Sequence, residues 1–189
     1  MESLFTFQPK LPNGFIYIPD FLNSAEEENL LREISRIPLH PFLFQGYEAK
    51  RKVASFGYDY SFDKRRISEG REIPYEFQWL LRKVLDFSGS KKNFAALLIT
   101  EYPVGSVINW HRDAPPFETI AGVSLLSDCV FRFRPHDKDR QGKKSILSFN
   151  AKRRSLYVME GDSRAQWEHS TMPVTAMRYS ITLRTLKGS

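Results

Sequence analysis

Apolar positions in the first half of the chain recur at helical spacing in two places. Ser24 followed by Glu27 has the spacing of a capping box, and the apolar stripe after it consists of Leu30, Ile34 and Ile37. Pro38 removes a backbone donor and should end this helix. Pro74 begins the second helix, whose apolar stripe consists of Phe77, Leu81 and Val84. We predict two amphipathic helices, with a short strand over 15–21 before the first.

The chain changes character from Asn93 onwards, where short β-rich segments alternate with turn residues. These segments are Phe94–Tyr102, Thr119–Leu126, Val130–Arg134, Ser145–Phe149, Ser155–Met159 and Tyr179–Thr185. Short strands at such spacing are typical of an antiparallel sandwich or barrel. We predict a mainly β fold with flanking α-helices and a single domain over 1–189. Within it, 1–92 should form an N-terminal α/β extension and 93–189 the β core.

Residues 42–62 combine a cluster of cations with aromatic residues at every second position. The cations are Lys50, Arg51 and Lys52, and the aromatic row that would share one strand face is Phe56, Tyr58, Tyr60 and Phe62. One interpretation is a core-facing aromatic edge beside a solvated charge cluster. The other is a nucleic-acid surface on which cations hold phosphates and rings stack on bases. We predict a turn at 38–41, with His40 as a loop residue, and a polar connecting segment at 62–70.

The composition is that of a globular domain, with 189 residues of which 41% are hydrophobic and 26% charged. Cys129 is the one cysteine, which excludes an intrachain disulfide and a cysteine-based zinc site, and it favours a reducing compartment. No stretch resembles a secretory signal or reaches the length of a membrane span, so we expect a cytoplasmic protein without a membrane partner. The net charge of +6 favours polyanionic partners such as DNA or RNA.

His111 and Asp113 form an H-x-D triplet in an apolar and aromatic neighbourhood. In a β-strand, residues i and i+2 point to the same side, so the imidazole and the carboxylate could hold one ion. His169 would complete the two-histidine, one-carboxylate set of non-haem Fe(II) oxygenases. Two other side chains are not expected as ligands. His136 lies in a highly charged stretch typical of a hairpin tip, and Glu168 would point away from His169 in a strand.

Three protein ligands leave three positions on octahedral iron, of which a 2-oxo acid can occupy two and O2 the third. The second carboxylate of a dicarboxylic 2-oxo acid requires a buried arginine that makes a charge-assisted pair. Tyr102 ends an apolar segment, and its hydroxyl is a further donor to such an acid. A polar, doubly cationic row shares one strand face by the period of two: Arg178, Ser180, Thr182 and Arg184. The alternative for this row is a solvated strand face.

Together these residues resemble the AlkB family of Fe(II)- and 2-oxoglutarate-dependent dioxygenases. The H-x-D triplet, the distant histidine and the R-x5-R spacing carry the resemblance. Other stretches are similar to the family's N-x-Y-x-P-G turn, its S-L and F-x-F strands, its R-R-S-L-x-V-M-x-G-x-S-R stretch and its R-Y-N-x-T-x-R ending: 100–105, 123–125, 131–133, 153–164 and 178–184. Thr100 and Ser180 stand where that family usually has asparagine. In the N-terminal half, 51–58 resembles the family's nucleotide-recognition lid.

The resemblance implies a double-stranded β-helix, or jelly-roll, core that binds Fe(II), 2-oxoglutarate and O2. Iron would be held by His111, Asp113 and His169, which with Arg178 would be the catalytic residues. The residues at 2-oxoglutarate positions would be Tyr102, Arg178, Ser180 and Arg184.

The reaction implied is oxidative demethylation of an alkylated base in DNA or RNA, which releases formaldehyde, succinate and CO2. The substrate contacts of such a monomeric enzyme would be Lys50, Arg51, Lys52, Phe56, Tyr58 and Glu118. Glu118 is included because Ala114, Pro115 and Pro116 follow Asp113 where some family members have an acid that reads the base. Two alternatives stay open: an AlkB-like enzyme acting on tRNA, protein or lipid, and a metal-binding jelly roll without turnover.

Overall fold

The structure is a computed structural model that describes residues 11–44, 46–61, 64–89 and 92–188. Its strands are β1 (Phe15–Ile18), β2 (His40–Phe44), β3 (Tyr47–Ser61), β4 (Arg66–Glu69), β5 (Phe94–Tyr102), β6 (Phe117–Leu125), β7 (Cys129–Pro135), β8 (Leu147–Ala151), β9 (Leu156–Met159), β10 (Trp167–Thr171) and β11 (Arg178–Leu186). Its α-helices are α1 (Ser24–Ser35), α2 (Gln78–Ser88) and α3 (Gly161–Ala165). The predicted aromatic position Phe62 lies outside the described residues.

Two antiparallel sheets form the jelly roll. The larger sheet has the strand order β1-β9-β6-β11-β5-β3-β2, with β4 paired to β3, and the smaller has the order β10-β7-β8. All of the strand pairs are antiparallel. The predicted fold class, mainly β with flanking helices, is therefore confirmed. Strands β1, β2 and β3 of the N-terminal half belong to the same large sheet as the strands that follow residue 93.

The two faces of the large sheet cover two separate cores. One core lies between this sheet and helices α1 and α2, and it includes Leu30 and Ile34 from α1 and the predicted residues of the second helix, Phe77, Leu81 and Val84. The other core contains aromatic residues of the small sheet, among them Phe131 and Phe133, packed against Tyr157 and Met159 of β9. Alternate residues of β5 and β11 therefore face different cores, and the chemistry described below lies on the side of the small sheet.

The capping box of helix α1 lies one residue earlier than the sequence pattern predicted. Asn23 is the N-cap residue: its side chain accepts a hydrogen bond from the Glu26 backbone N–H at 2.9 Å, and Glu26 accepts one from the Asn23 N–H. The predicted partner Glu27 is instead 1% exposed, and its carboxylate accepts hydrogen bonds from Leu126 N–H and from Arg153. Glu27 thus ties α1 to the jelly roll. Among the helices of the described residues, none has the length and apolarity needed to cross a membrane.

The region between the two helices contains more regular structure than predicted. The stretch 38–41 is not a simple turn, because His40 begins β2 and pairs with Val53 of β3. Likewise, β4 lies within the predicted connection 62–70 and pairs with the end of β3. Both predictions relied on local polarity, whereas edge strands tolerate polar residues because they are solvated on one side.

The predicted aromatic face of β3 is broken at Gly57. This residue has φ +73°, a backbone conformation that favours glycine, and its N–H donates to Arg71 O at 2.6 Å. Phe56 before the bend is 6% exposed and belongs to the helix-side core, whereas Tyr58 and Tyr60 after it pack against the core of the small sheet. The prediction that these rings share one face is therefore wrong.

Candidate active site

The predicted ligand set comes together at the centre of the jelly roll. His111, Asp113 and His169 each offer a ligand atom, and these atoms lie within 4.8 Å of one another. His169 is placed by β10. His111 is joined to it by an isolated β-bridge, in which His111 N–H donates to His169 O at 3.1 Å and His169 N–H donates to His111 O at 2.9 Å. The three side chains form a compact group suited to one metal ion.

The H-x-D triplet is not in a regular strand. His111 and Asp113 lie close together as predicted, but a loop and not strand alternation brings them there. Beyond the single bridge at His111, the chain runs as a loop to the start of β6. Arg164 of α3 holds this loop, because its guanidinium donates to the carbonyl oxygens of Asp113, Ala114 and Phe117 at 2.9, 2.7 and 3.1 Å. A side chain distant in sequence therefore positions the backbone of the carboxylate ligand.

The protonation states suit metal binding. Burial and the neighbouring His111 lower the pKa of His169 to about 3, so its imidazole is neutral at pH 7. His111 Nδ1 lies 2.8 Å from Asn109 O, which as a carbonyl can only accept, so Nδ1 carries the proton and Nε2 keeps its lone pair. Burial would raise the pKa of Asp113, but the charge of Arg184 outweighs burial and holds that pKa below its usual range.

One buried atom indicates that the group fits a cation. Asp113 Oδ2 is buried and has no hydrogen-bond partner, while Oδ1 accepts two hydrogen bonds from Arg184 at 3.2 Å. A buried carboxylate oxygen without a partner is costly, and a metal ion between Oδ2 and the two imidazoles would remove that cost. Two nitrogens and one oxygen, with space beside them, are the donor set of non-haem Fe(II) oxygenases.

The polar row on β11 lies beside the ligand set, as predicted. Arg178 is 3% exposed, its Nε donates to Ser124 Oγ at 3.1 Å, and its guanidinium carbon lies 4.8 Å from the centre of the Tyr102 ring. The Tyr102 hydroxyl is 3.3 Å from Ser180 Oγ. In the part of the chain that the structure describes, no carboxylate forms an ion pair with Arg178. A buried guanidinium in this situation is prepared for an anionic ligand.

Arg184 differs from Arg178, although the sequence pattern treats them alike. Its guanidinium donates through Nε and an Nη atom to Asp113 Oδ1, and its carbon lies 5.4 Å from the centre of the Phe117 ring. The charge of Arg184 is thus balanced by the carboxylate ligand of the candidate metal site. Arg184 therefore contacts the candidate metal ligand Asp113 and also lines the cavity beside the other residues of the row on β11.

A cavity of about 430 Å³ opens onto the ligand set and the row on β11. Its wall on the side of the N-terminal half is made by β2 and β3, including Phe42, Arg51, Val53, Ser55 and Tyr60. Tyr102, Arg178, Ser180 and Arg184 also line it, which brings all of the predicted cosubstrate residues into one space with the candidate metal ligands. A small organic acid and part of a larger substrate can occupy this volume together.

Only some of the predicted substrate contacts reach the cavity. Arg51 lines it, whereas Lys52 faces away and pairs with Glu101 at 3.3 Å. Lys50 is exposed. Phe56 lies in the helix-side core, so it is not available for stacking on a base, and Tyr58 is absent from the lining, where Tyr60 is found instead.

Glu118 does not reach this space. Its carboxylate forms an ion pair with Lys92 at 2.5 Å and lies by a second cavity, behind Asp113. The two cavities share Asp113 and Arg112, but the wall that contains Glu118 belongs to the second one. Glu118, the acid predicted to read the base, therefore does not line the cavity that contains the candidate metal ligands and the row on β11.

Sequence reasoning also missed a cationic and aromatic cluster next to His111. The guanidinium carbons of Arg132 and Arg134 both lie over the Trp110 ring, at 4.8 and 4.7 Å from its centre. Arg134 also pairs with Glu168 at 2.6 Å, and Glu168 points away from His169 as expected. The alternation of arginine with phenylalanine in β7 was a visible signal for one cationic face, but only the bridge to β10 brings that face to Trp110.

The comparisons with known proteins agree with this site. A family profile described as the 2OG-Fe(II) oxygenase superfamily matches residues 14–184, and the chain belongs to that superfamily. Its iron, 2-oxoglutarate and O2 are the cofactors that the ligand set and the row on β11 fit, and the enzyme class is that of dioxygenases among the oxidoreductases.

Relatives in sequence confirm the AlkB resemblance. The chain is 26% identical, over 88% of its length, to an Arabidopsis thaliana protein named Alkylated DNA repair protein ALKBH8 homolog, of which it covers 53%. It is 29% identical to a mouse protein named tRNA (carboxymethyluridine(34)-5-O)-methyltransferase ALKBH8, with 86% of this chain and 25% of that protein covered. A zebrafish protein named Probable RNA/DNA demethylase ALKBH6 is 26% identical over 80% of this chain and 66% of its own length. The chain thus spans about half or less of the ALKBH8 relatives.

Solved structures show the same fold at low identity. The structure of OsALKBH1 superimposes with a TM-score of 0.71 at 13% identity, covering 93% of this chain and 97% of that one. A Trichoplax adhaerens prolyl hydroxylase, solved with a hypoxia-inducible-factor peptide, gives a TM-score of 0.64 at 16% identity, with 92% and 84% covered. Since one of these neighbours was solved with a peptide, the fold does not select the class of substrate.

Proposed function

We propose that this protein is an Fe(II)- and 2-oxoglutarate-dependent demethylase of alkylated bases in nucleic acid, releasing formaldehyde, succinate and CO2. The observation that carries the proposal is the shared cavity, in which the candidate metal ligands, an unpaired buried arginine and a cationic outer wall lie together. The names of the relatives, which include alkylated DNA repair and RNA/DNA demethylase, support the substrate class.

Each group in the cavity has a role in this proposal. His111, Asp113 and His169 would hold iron, and Arg178 would bind the distal carboxylate of 2-oxoglutarate, with the Tyr102 and Ser180 hydroxyls beside it. Bound iron with 2-oxoglutarate and O2 supplies the oxidant that hydroxylates a methyl C–H bond. A hydroxymethyl group on a base nitrogen then leaves as formaldehyde.

The protein's own contribution is orientation and exclusion of water. Arg164 fixes the loop of Asp113, and Arg184 holds one oxygen of that carboxylate so that the other faces the histidines. The Phe131 ring stacks on the His169 imidazole, with 5.4 Å between ring centres and 9° between planes, which fixes the ring and keeps its far side dry. Fixed ligands in a dry site need little reorganisation during the reaction.

The surface around the cavity suits a polyanion. Arg112 is exposed beside His111, and Arg132 lies over the neighbouring Trp110 ring, whereas the charge of Arg134 is already paired with Glu168. Lys50 of β3 adds an exposed cation outside the cavity lining. Cations at the rim can hold phosphates while a single base enters the cavity, the arrangement used by enzymes that act on bases.

The direct test measures formaldehyde release from methylated single-stranded DNA, duplex DNA and tRNA, with Fe(II) and 2-oxoglutarate present. tRNA belongs in this panel because a relative is named for it. We expect release from at least one nucleic acid, and none from His111→Ala, Asp113→Ala or His169→Ala. These variants should also lose the visible absorption band that Fe(II) and 2-oxoglutarate give together without O2.

Two results would contradict the proposal. Turnover of 2-oxoglutarate to succinate without formaldehyde from any nucleic acid would leave the oxygenase class intact and remove the substrate class. Full turnover in any one of the three alanine variants would show that the ligand set is misassigned at that position.

A further inference from the structure

Strand β3 presents its cations to opposite sides of the large sheet. Arg51, Val53 and Ser55 line the cavity, while Ala54 and Phe56 belong to the helix-side core and Lys52 pairs with Glu101 on that other side. The register with β5 agrees, because Val53 lies opposite Thr100 and Ser55 opposite Leu98, which also line the cavity. Arg51 is therefore separated from its neighbouring lysines by the alternation of the strand.

Arg51 is held in the cavity by an aromatic ring rather than by an acid. Its guanidinium carbon lies 4.0 Å from the centre of the Phe42 ring of β2, and the side chain is half-buried. Burial in the cavity lowers the pKa of Arg51. Within the described residues, no side chain or backbone oxygen accepts a hydrogen bond from Arg51, and no acid forms an ion pair with it.

The cavity holds more cations than acids. Its lining contains four arginines and two aspartates: Arg51, Arg112, Arg178, Arg184, Asp59 and Asp113. Asp113 is engaged by Arg184, and the carboxylate of Asp59 is exposed and accepts the N–H of Tyr60 at 2.8 Å. When Arg178 binds the distal carboxylate of 2-oxoglutarate, the half-buried guanidinium of Arg51, which forms no ion pair within the described residues, is still available to a substrate.

We propose that Arg51 reads the base that enters the cavity and selects uncharged bases that present carbonyl oxygens, against bases that carry a positive charge. This inference rests on the proposed function and deepens it. A guanidinium offers paired N–H donors that match carbonyl acceptors, and it repels a cation placed beside it in a partly dry site. Glu118, the acid that could have paired with a cationic base, lies outside this cavity.

A matched pair of substrates separates the two classes of base. 3-Methyluracil and 3-methylcytosine carry their methyl group on the same ring nitrogen, but the first is neutral with two carbonyls and the second is cationic at neutral pH. Each would be placed once in the same single-stranded oligonucleotide. Affinity is measured with Fe(II) and 2-oxoglutarate in the absence of O2, and formaldehyde release is measured in its presence.

The wild-type protein should bind and demethylate 3-methyluracil better than 3-methylcytosine. Arg51→Glu should shift that preference towards 3-methylcytosine by about tenfold, since a good arginine–base pair discriminates by roughly 5- to 150-fold. Arg51→Gln, which keeps donors and removes the charge, should give an intermediate ratio. Lys50→Glu is the control: it makes the same change of charge one residue away, and it should weaken both substrates alike.

A wild-type preference for 3-methylcytosine, or an unchanged ratio in Arg51→Glu at wild-type stability in urea unfolding, would overturn the inference. If Arg51→Glu does not fold, the ratio in Arg51→Gln decides. A protein that demethylates neither oligonucleotide yet binds 3-methyluracil preferentially through Arg51 would support the assignment of Arg51 and would exclude demethylation of these two bases only. Equal binding of both by wild type and variants would refute that assignment alone.

Discussion

Strand β11 lies between β5 and β6 over almost its whole length, whereas β3 leaves β5 at Gly57 and continues with β4 as its partner. Both strands line the same cavity. On β11 the polar row keeps one face from Arg178 to Arg184, but on β3 the row changes face within three residues, between Phe56 and Tyr58. The two strands differ in two ways. Strand β11 has a partner strand on each edge, whereas β3 exchanges β5 for β4 at Gly57, which has a left-handed backbone conformation.

A strand with a partner on each side cannot rotate without losing hydrogen bonds on both edges, so its side-chain alternation follows the sequence. A strand that changes partners at a glycine can twist there. The cosubstrate side of the cavity is therefore rigid and predictable. The side that would meet the substrate is set by a local bend that differs from the sequence period.

The largest expected effect separates the two arginines of β11. Arg178→Ala should weaken 2-oxoglutarate binding by about 2–5 kcal/mol, because it removes the buried partner of a carboxylate. Arg184→Ala should instead lower iron affinity by about 10–100-fold, because Arg184 orients Asp113. Anaerobic titrations that follow the iron–cosubstrate absorption band measure both constants. The control is Arg112→Ala, which removes an exposed arginine of the same cavity and should leave both constants close to the wild-type values. Identical effects of Arg178→Ala and Arg184→Ala would mean that the strand face acts as one charged unit.

Gly57→Ala tests the bend that makes β3 different. An added Cβ would lie 2.1 Å from Ala95 O, and φ is +73°, so both strain and a backbone clash oppose it. We expect a loss of at least about 3 kcal/mol in the free energy of unfolding, measured with urea. Gly89→Ala has φ +62° with nothing within 4 Å, and it should cost only about 1–2 kcal/mol of left-handed strain. Equal losses would show that the contact with Ala95 is relieved by a small shift.

Tyr58 and Tyr60 are two residues apart on β3, but only Tyr60 is expected to contact the substrate. Tyr60 lines the cavity, so Tyr60→Ala should weaken oligonucleotide binding by about 1–3 kcal/mol, the value of a stacked base. Tyr58 packs on the core of the small sheet and is absent from the lining, so Tyr58→Ala should reduce stability more than the affinity of the folded protein. Fluorescence anisotropy and urea unfolding measure the two quantities. A larger affinity loss in Tyr58→Ala would restore the sequence-based choice of Tyr58.

The smallest expected effect concerns a link between the two strands. Tyr179, on the helix side of β11, donates to Glu101 at 2.8 Å, and Glu101 also pairs with Lys52 of β3. Burial and this hydrogen bond raise the pKa of Tyr179 to about 12, above the usual value near 10. The folded protein then keeps a proton that the unfolded chain releases, so this stability is present below pH 10 and is lost as the pH rises towards 12. Tyr179→Phe should flatten the fall in unfolding free energy between those values.

Much of the cosubstrate side followed from the sequence because it depends on periodicity and residue chemistry. The bounds of β5 came from a β-rich segment between turn residues, and the face of β11 came from alternation in a strand that is paired on both edges. The donor set of His111, Asp113 and His169 came from the chemistry that iron requires and from resemblance to a family.

Other features were decided only by tertiary structure. The loop of Asp113 is fixed by Arg164, 51 residues further on, and no local pattern reports that contact. The direction of Arg51 and the exclusion of Glu118 from the cavity depend on which face of the sheet each strand turns inwards. Periodicity gives the relative faces of residues within one strand, but only packing against the helices and the small sheet selects which face is inside.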